Sequence, residues 1–411
     1  MTTQARPVPT RSPIDVAIRW ARENLFSSPA NTLLTIVALA FVAFALFSTG
    51  RFVLVTAEWE VVHTNRRLFF IGRFPSDELW RVWVIIYVLS ALAGASIALW
   101  TRISPRYGVL LGVLLVPVFL FIDGGRVALQ AAGAVGAFAI AYGAIAAAPT
   151  GVATGPLARN AAAVAWLAFL PFTWIMLRAV DNLLWGGLLL TIILSVVGIS
   201  ASFPLGVLLA LGRASTFPVV RMFCVGYIEL IRGVPLITVL FMALFFLPLT
   251  IEPNREVGVG ALQLPLTGYG WMELNTVLRA MVAITIFSSA YVAETVRGGL
   301  QAVPRGQVEA AKALGLGTSR ILALIVLPQA LRAVIPAMVG QFISLFKDTS
   351  LVGIVGLTEL LATARQVTAQ PAFIGRQAEV LLFIALIYWL VAFTMSRASQ
   401  QLERSLGVGE R

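Results

Sequence analysis

The chain has 411 residues, 59% of them hydrophobic and only 12% charged, with a net charge of +11. A water-soluble domain carries about a quarter charged residues because its surface must be wetted. This composition therefore excludes an ordinary soluble globule and fits a chain whose outer surface faces lipid. Cys224 is the single cysteine, which excludes an internal disulfide. His63 is the single histidine, which excludes a histidine-based metal cluster or a histidine-paired nucleophile, and it reads as an ordinary loop residue.

The predicted elements begin with a polar, basic segment, residues 1–30, carrying Arg6, Arg11, Arg19 and Arg22. The apolar run after it is long enough to cross a bilayer and lacks a small-residue cleavage site, so it reads as a retained first helix rather than a signal peptide. Ten candidate spans follow in chain order: Asn31–Thr49, Val82–Trp100, Gly108–Ile122, Val127–Ala148, Ala161–Leu177, Gly186–Leu211, Val225–Leu247, Thr276–Val296, Val334–Leu351 and Val380–Met395. The clearest is Gly186–Leu211, 26 residues without a charge, where about 20 apolar residues suffice to span. Gly108–Ile122 is short and reads as a tilted crossing or half of a hairpin. The expected fold class is an all-α integral membrane protein of about ten transmembrane helices.

With the N-terminus inside, the larger share of Lys and Arg falls on the inner loops, including Arg213, Arg221, Arg297, Arg305, Lys312 and Arg320. The outer arginines are matched by carboxylates. The basic surplus then meets anionic lipid rather than nucleic acid. Both termini are expected in the cytoplasm.

Residues 31–180 form an N-terminal extension with a long outer loop at 50–81. Its aromatics, Trp59, Phe69, Phe70, Phe74 and Trp80, read as a membrane-interface belt in preference to a docking surface for an outer partner. The Ala/Gly-rich span near Ala131–Ala148 suits close helix packing. Residues 181–405 hold five spans, an outer loop at Thr250–Asn275 and a polar inner loop at 303–330; residues 406–411 form a tail. No internal repeat is visible, which weighs against a gradient-driven secondary transporter. No metal, nucleophile or carboxylate constellation supports a membrane enzyme.

The inner loop runs from Val303 to Ala330 as VPRGQVEAAKALGLGTSRILALIVLPQA. Pro304 and Gly306 are expected to break the preceding span. Gln307–Leu314 is built from good helix formers. Gly315 and Gly317 are expected to end it, since glycine accepts a left-handed conformation at a helix C-terminus. Thr318 or Ser319 is placed to cap a second helix, and Pro328 and Pro336 to interrupt the return to the membrane. The result is a helix–turn–helix element on the membrane surface, small enough to enter a groove on another protein.

Glu309, Ala310, Ala311 and Gly315, followed by Ile325, Val326, Leu327 and Pro328, carry the spacing of the EAA loop, so the chain resembles the permeases of binding-protein-dependent ABC importers. Tyr227–Leu236, with Arg232, Gly233 and Pro235, is similar to the RGxP segment of the polar amino acid permeases. Ala290–Leu300 and Phe346–Leu351, the latter containing Lys347, Asp348, Thr349, Ser350 and Leu351, resemble two further segments of those proteins. The resemblance covers about residues 181–405, and the extension resembles that of the long permeases of general and neutral L-amino acid systems.

This resemblance implies a type I ABC importer permease core of five helices in a bacterial inner membrane. It implies an ATPase dimer beneath, a second permease, more readily a different chain than a copy, and an extracytoplasmic amino acid-binding protein. The chain has no Gly-rich phosphate loop followed by Lys-Ser or Lys-Thr, so ATP and Mg are expected in the partner ATPase, with no cofactor, metal or catalytic residue here. Coupling to that ATPase falls to Gly306, Gln307, Glu309, Ala310, Ala311, Leu314, Gly315, Leu316 and Gly317. Ionisable groups at membrane depth are costly and face a cavity or a partner. Glu229 with Arg232, and Glu294 with Arg297, are spaced for ion pairs three apart on helices near the inner boundary. Lys347 and Asp348, with Thr349 and Ser350, lie near the outer end of the ninth span and read as gate, structural element or substrate path.

Overall fold

A computed structural model describes residues 13–100, 125–147, 155–250, 257–259, 262–264 and 276–405. The expected span Gly108–Ile122, the tail 406–411 and most of the loop at Thr250–Asn275 lie outside the described residues. The chain divides into two units, residues 1–59 and 60–411.

The first unit holds α1 (Pro13–Asn24) and α2 (Pro29–Arg51), the latter running into a π turn at Phe52–Thr56. Ser28 caps α2 by accepting from Asn31 N, and Pro29 stands in its first turn, where no backbone donor is missed. α2 buries none of its residues within the chain, as a helix surrounded by lipid can.

The second unit opens with two short helices, α3 (Glu60–Thr64) and α4 (Arg66–Ile71), then α5 (Leu79–Trp100), α6 (Gly125–Ala147) and α7 (Pro156–Leu177). It continues with α8 (Gly187–Arg213), α9 (Pro218–Arg232), α10 (Leu236–Thr250) and α11 (Thr276–Ala302). After these come α12 (Arg305–Ala313), α13 (Thr318–Ile321), α14 (Leu327–Asp348), α15 (Leu360–Thr368) and α16 (Gln377–Ser405). Among the described residues, strand structure is confined to a short antiparallel ribbon, β1 (Val257–Val259) on β2 (Leu262–Leu264).

Seven stretches of the described residues are long and apolar enough to cross a membrane, and α9 with α10 makes an eighth if that bent pair is one crossing. The run Val225–Leu247, expected as one span, is broken there by a bend of 107°. The cause is local. Pro235 has no N–H to give and disfavours a helical conformation at Val234. The chain leaves α9 at Gly233, whose N–H still reaches Glu229 O, and restarts when Thr238 N and Val239 N both donate to Pro235 O.

α11 is the centre of the core, packed by α8, α9, α10 and α14. It runs parallel to α8, since Gly198 meets Ile284 and Gly206 meets Val292. A Cβ on Gly206 would lie 2.4 Å from Val292 Cγ1, so the two helices touch at backbone distance. α5, α6 and α7 pack together, with Trp166 Nε1 donating to Ser96 Oγ at 2.9 Å. α7 meets the core along α8.

The aromatics expected at the membrane interface divide differently. Phe69 and Phe74 are fully buried and Phe70 nearly so, while Trp80 is exposed. α4 lies on α8 and α15, and the rings of Phe69 and Phe70 meet Phe383 of α16 edge-on at 5.5 and 6.3 Å. Gly72 bridges to Trp185, and Asn65 Oδ1 accepts from Gln370 Nε2 at 3.4 Å. Residues 60–74 are therefore a plug on the core rather than a belt in the lipid. His63 belongs to α3, hydrogen-bonded to Arg66 at 3.0 Å, rather than to a loop.

Candidate functional site

The α12 element sits at the end of α11 away from α3 and α4, because α8 spans its 27 residues between the two faces, about 40 Å at 1.5 Å per residue. α11 ends at Ala302, two residues before Pro304, which is the N-cap of α12, while Gly306 takes no part in that break and lies inside the first turn of α12. The C-terminus closes as a Schellman motif. Gly315 has φ +77°, its N–H donates to Lys312 O at 2.9 Å, and Leu316 N donates to Ala311 O at 3.1 Å. Gly317, expected to help end the helix, is instead the extended N-cap of α13, so neither Thr318 nor Ser319 takes that position.

Pro328 and Pro336 do not interrupt α14. Pro328 lies in its first turn and is preceded by a π turn at Leu322–Val326, and Pro336 is accommodated inside the helix. The wider π turn takes Leu327 N to Leu322 O, the change of register a proline ring requires.

α12 is held by little and shows much. Ala311 is buried against the chain, while Gly306, Gln307, Glu309, Ala310, Gly315 and Gly317 are exposed. Leu314 is 81% exposed and Leu316 is half-buried. Among the described residues, one polar tie links it to the membrane helices: Gln329 Nε2 of α14 donates to Gln307 Oε1 at 2.7 Å. α12 also rests on α13 and the π turn.

The other expected site residues fall into two groups. Glu229, Arg232 and Glu294 meet on the α12 side, but not as pairs three apart alone. Glu294 binds Arg297 on its own helix, Arg213 at 3.4 Å and Arg232 at 3.6 Å. Glu229 pairs with Arg213 at 3.1 Å, rather than with Arg232. The guanidinium of Arg232 also lies over the Tyr291 ring, 5.7 Å from its centre. Five charges thus tie the ends of α8, α9 and α11, and Glu294 is the hub.

Lys347, Asp348, Thr349 and Ser350 stand elsewhere. Leu345 packs at Gly198 beside Ile284, which precedes Glu294 by ten residues on α11, about 15 Å of helix. Lys347 and Asp348 are the last residues of α14, and the helical path continues as a 3₁₀ stretch, Thr349–Val355, to the end of the apolar stretch Thr318–Val355. Lys347 is exposed, Asp348 and Ser350 are half-buried, and Thr349 is fully buried with its hydroxyl donating to Phe346 O at 2.7 Å.

Sequence reasoning missed two residues. Arg213 carried a signal, being the first charge after the uncharged run of α8. Glu359 carried a weaker one, an acid directly ahead of a short helix. It is wholly buried and caps α15, accepting from Leu361 N and Ala362 N at 2.7 Å each, and from Tyr388 Oη of α16 at 3.2 Å. Burial pushes its carboxyl up to about 7, against the pull of those donors.

Residues 202–408 match the model of the family described as binding-protein-dependent transport system inner membrane component. The chain is 37% identical to the inner membrane amino-acid ABC transporter permease protein YhdY of Escherichia coli (strain K12), over 96% of this chain and 94% of that one. It is 35% identical to the glutamate/glutamine/aspartate/asparagine transport system permease protein BztC of Rhodobacter capsulatus, over 95% and 94%. A solved amino acid ABC transporter with histidines has a chain 27% identical, covering 58% of this chain and 97% of that chain, with a TM-score of 0.44.

Proposed function

The chain belongs to the family of inner membrane components of binding-protein-dependent transport systems, and from that premise we propose that it is one permease subunit of an ATP-driven amino acid importer. It is a multi-pass inner membrane transport component and not an enzyme. Amino acids as cargo rest on the names of its relatives. Its partners are an ATPase dimer that binds ATP and Mg, a second permease of different sequence, and an extracytoplasmic binding protein that delivers the substrate. Both termini face the cytoplasm.

The observation that carries the coupling role is α12: a short helix, exposed on nearly every side and ending in an exposed Leu314 and a left-handed Gly315. An exposed apolar side chain beside small residues suits insertion into a cleft. Closure of the ATPase pair around ATP moves α12. Gln307–Gln329 and the π turn pass that motion to α14, and α14 passes it to α11 and α8. The pathway then changes its open side. Contacts that differ between the two states are required, and the ion pairs of Glu294 across α8, α9 and α11 are suited to break and re-form. Lys347, Asp348, Thr349 and Ser350 stand deeper, on the substrate path or its gate.

The test is reconstitution in lipid discs with the candidate second permease and ATPase. Leu314→Cys should crosslink to a cysteine in the ATPase cleft, and Glu309→Lys should lose the rise in ATP hydrolysis on addition of loaded binding protein while the complex still assembles. Failure of any ATPase to associate with well-folded chain would refute the coupling role.

A further inference from the structure

Where α7 meets α8 and α11, a cavity of about 220 Å³ lies among Pro171, Trp174, Leu177, Trp185, Val197 and Met281. Leu177 and Trp185 form its floor, each 1% exposed. Pro171 at the rim is exposed, and Trp174 and Val197 are half-buried, so among the described residues the cavity has an open side.

Among the described residues, no charged side chain lines it. Its hydroxyl and its buried indole are already engaged, Thr173 Oγ1 donating to Phe169 O at 2.8 Å and Trp185 Nε1 to Val180 O at 3.3 Å. A zwitterionic amino acid would find no opposite charge among these described residues for either of its ends. The cavity is thus not part of a polar pathway.

Its surroundings name the occupant. α7, α8 and α11 are all membrane-spanning by length and composition. Ile175 of α7 and Ile192 of α8 are exposed beside it, so its mouth continues the surface that these helices present to hydrocarbon. An apolar cavity of roughly 150 Å³ stays dry and takes up hydrocarbon. At about 220 Å³ this space exceeds that cavity by about half. It has room for the end of one chain, not a whole lipid.

We propose that this cavity is a binding site for the acyl-chain end of a bilayer phospholipid, which fills the seam between the N-terminal extension and the permease core. Lipid tails gain no hydrophobic energy by leaving the bilayer for an apolar pocket. The site therefore works by packing, and exchange with bulk lipid is fast.

The test uses the full chain in discs of a phospholipid bearing a carbene-forming diazirine near one tail end, with adducts mapped by mass spectrometry. Leu177 and Met281, although buried, should be labelled at least as strongly as Leu33 and Phe41 of α2, which report bulk lipid. Val197→Phe, which fills the space, should cut the Leu177 and Met281 adducts at least five-fold and leave those on Leu33 and Phe41 unchanged. Val197→Ile should give an intermediate loss, and serves if the larger side chain prevents folding. Absence of floor labelling in the unsubstituted chain, labelling there by a water-soluble carbene reagent instead, or equal labelling in Val197→Phe would each overturn the assignment.

Discussion

Gly187→Ala probes the seat of the α3–α4 plug on the core. Gly187 has φ +58°, and a Cβ there would lie 2.4 Å from Phe69 O and 2.5 Å from Leu68 O. The left-handed conformation costs an alanine about 1–2 kcal/mol. Forcing the α4 carbonyls away adds about 1–3 kcal/mol of overpacking. The sum is about 2–5 kcal/mol, and at roughly 2–4 °C per kcal/mol the melting temperature should fall by about 5–15 °C. The displaced α4 also carries Phe69 and Phe70 from Phe383, so exchange protection of the amides at 66–72 should fall with it. Gly136→Ala is the matched control: nothing lies within 4 Å of its Cβ position on α6, and a helix-interior alanine should raise stability by about 0.5–1 kcal/mol. The assay is thermal unfolding in detergent or lipid discs, followed by hydrogen exchange. A Gly187→Ala chain that melts within a degree of the unsubstituted one, with the 66–72 amides still protected, would show that the plug does not sit on α8 as described.

Three further outcomes are expected. Glu294→Gln removes the shared partner of Arg213, Arg232 and Arg297, whose side chains keep a quarter to a third of their exposure. Screened pairs of this kind contribute about 0.2–1 kcal/mol each, so the loss should be about 1–2 kcal/mol, shrinking in high salt; a salt-independent effect would contradict the ion-pair description. Glu359, whose carboxyl is pushed by burial from the ordinary carboxylate range up to about 7, binds its proton more tightly folded than unfolded. Its contribution is fully present below about pH 4.5 and is lost as pH rises through 7, by about 3 kcal/mol; a melting curve series from pH 5 to 8 should therefore decline, and Glu359→Gln should flatten it. An unchanged slope in that variant would assign the pH dependence to other groups. Gly315→Val must place a β-branched residue at φ +77°, and should lower ATPase stimulation at least ten-fold while leaving the melting temperature within a few degrees, since among the described residues nothing outside the turn lies within 4 Å of a Cβ there; loss of folding instead would mean that the turn is structural.

The parts legible in the sequence were those with local causes. α12 follows from good helix formers between Pro304 and a glycine able to turn left-handed at 315, and the structure places its cap there. The long uncharged runs gave most of the spans, because hydropathy depends only on neighbours in sequence. The break at Gly233–Pro235 was written in two residues, yet the apolar count ran across it. Gly317 was misplaced by one role, since a glycine and the two hydroxyl residues after it compete for the same cap. The fate of Phe69, Phe70 and Phe74 was not legible: an aromatic among charges suits a lipid interface or a buried plug equally, and only the arrival of Phe383 and the Gly187 backbone from far along the chain decides. The Glu294 hub was half visible, because Arg297 is local while Arg213 and Arg232 come from other helices.

The most direct measurement is uptake by proteoliposomes containing this chain, its second permease and the ATPase, with ATP inside and binding protein loaded with a radiolabelled amino acid outside. The account expects accumulation that requires ATP and loaded binding protein, and that Glu309→Lys abolishes in a complex of unchanged composition. Accumulation that proceeds without ATP along an ion gradient, or that Glu309→Lys leaves intact, would contradict it.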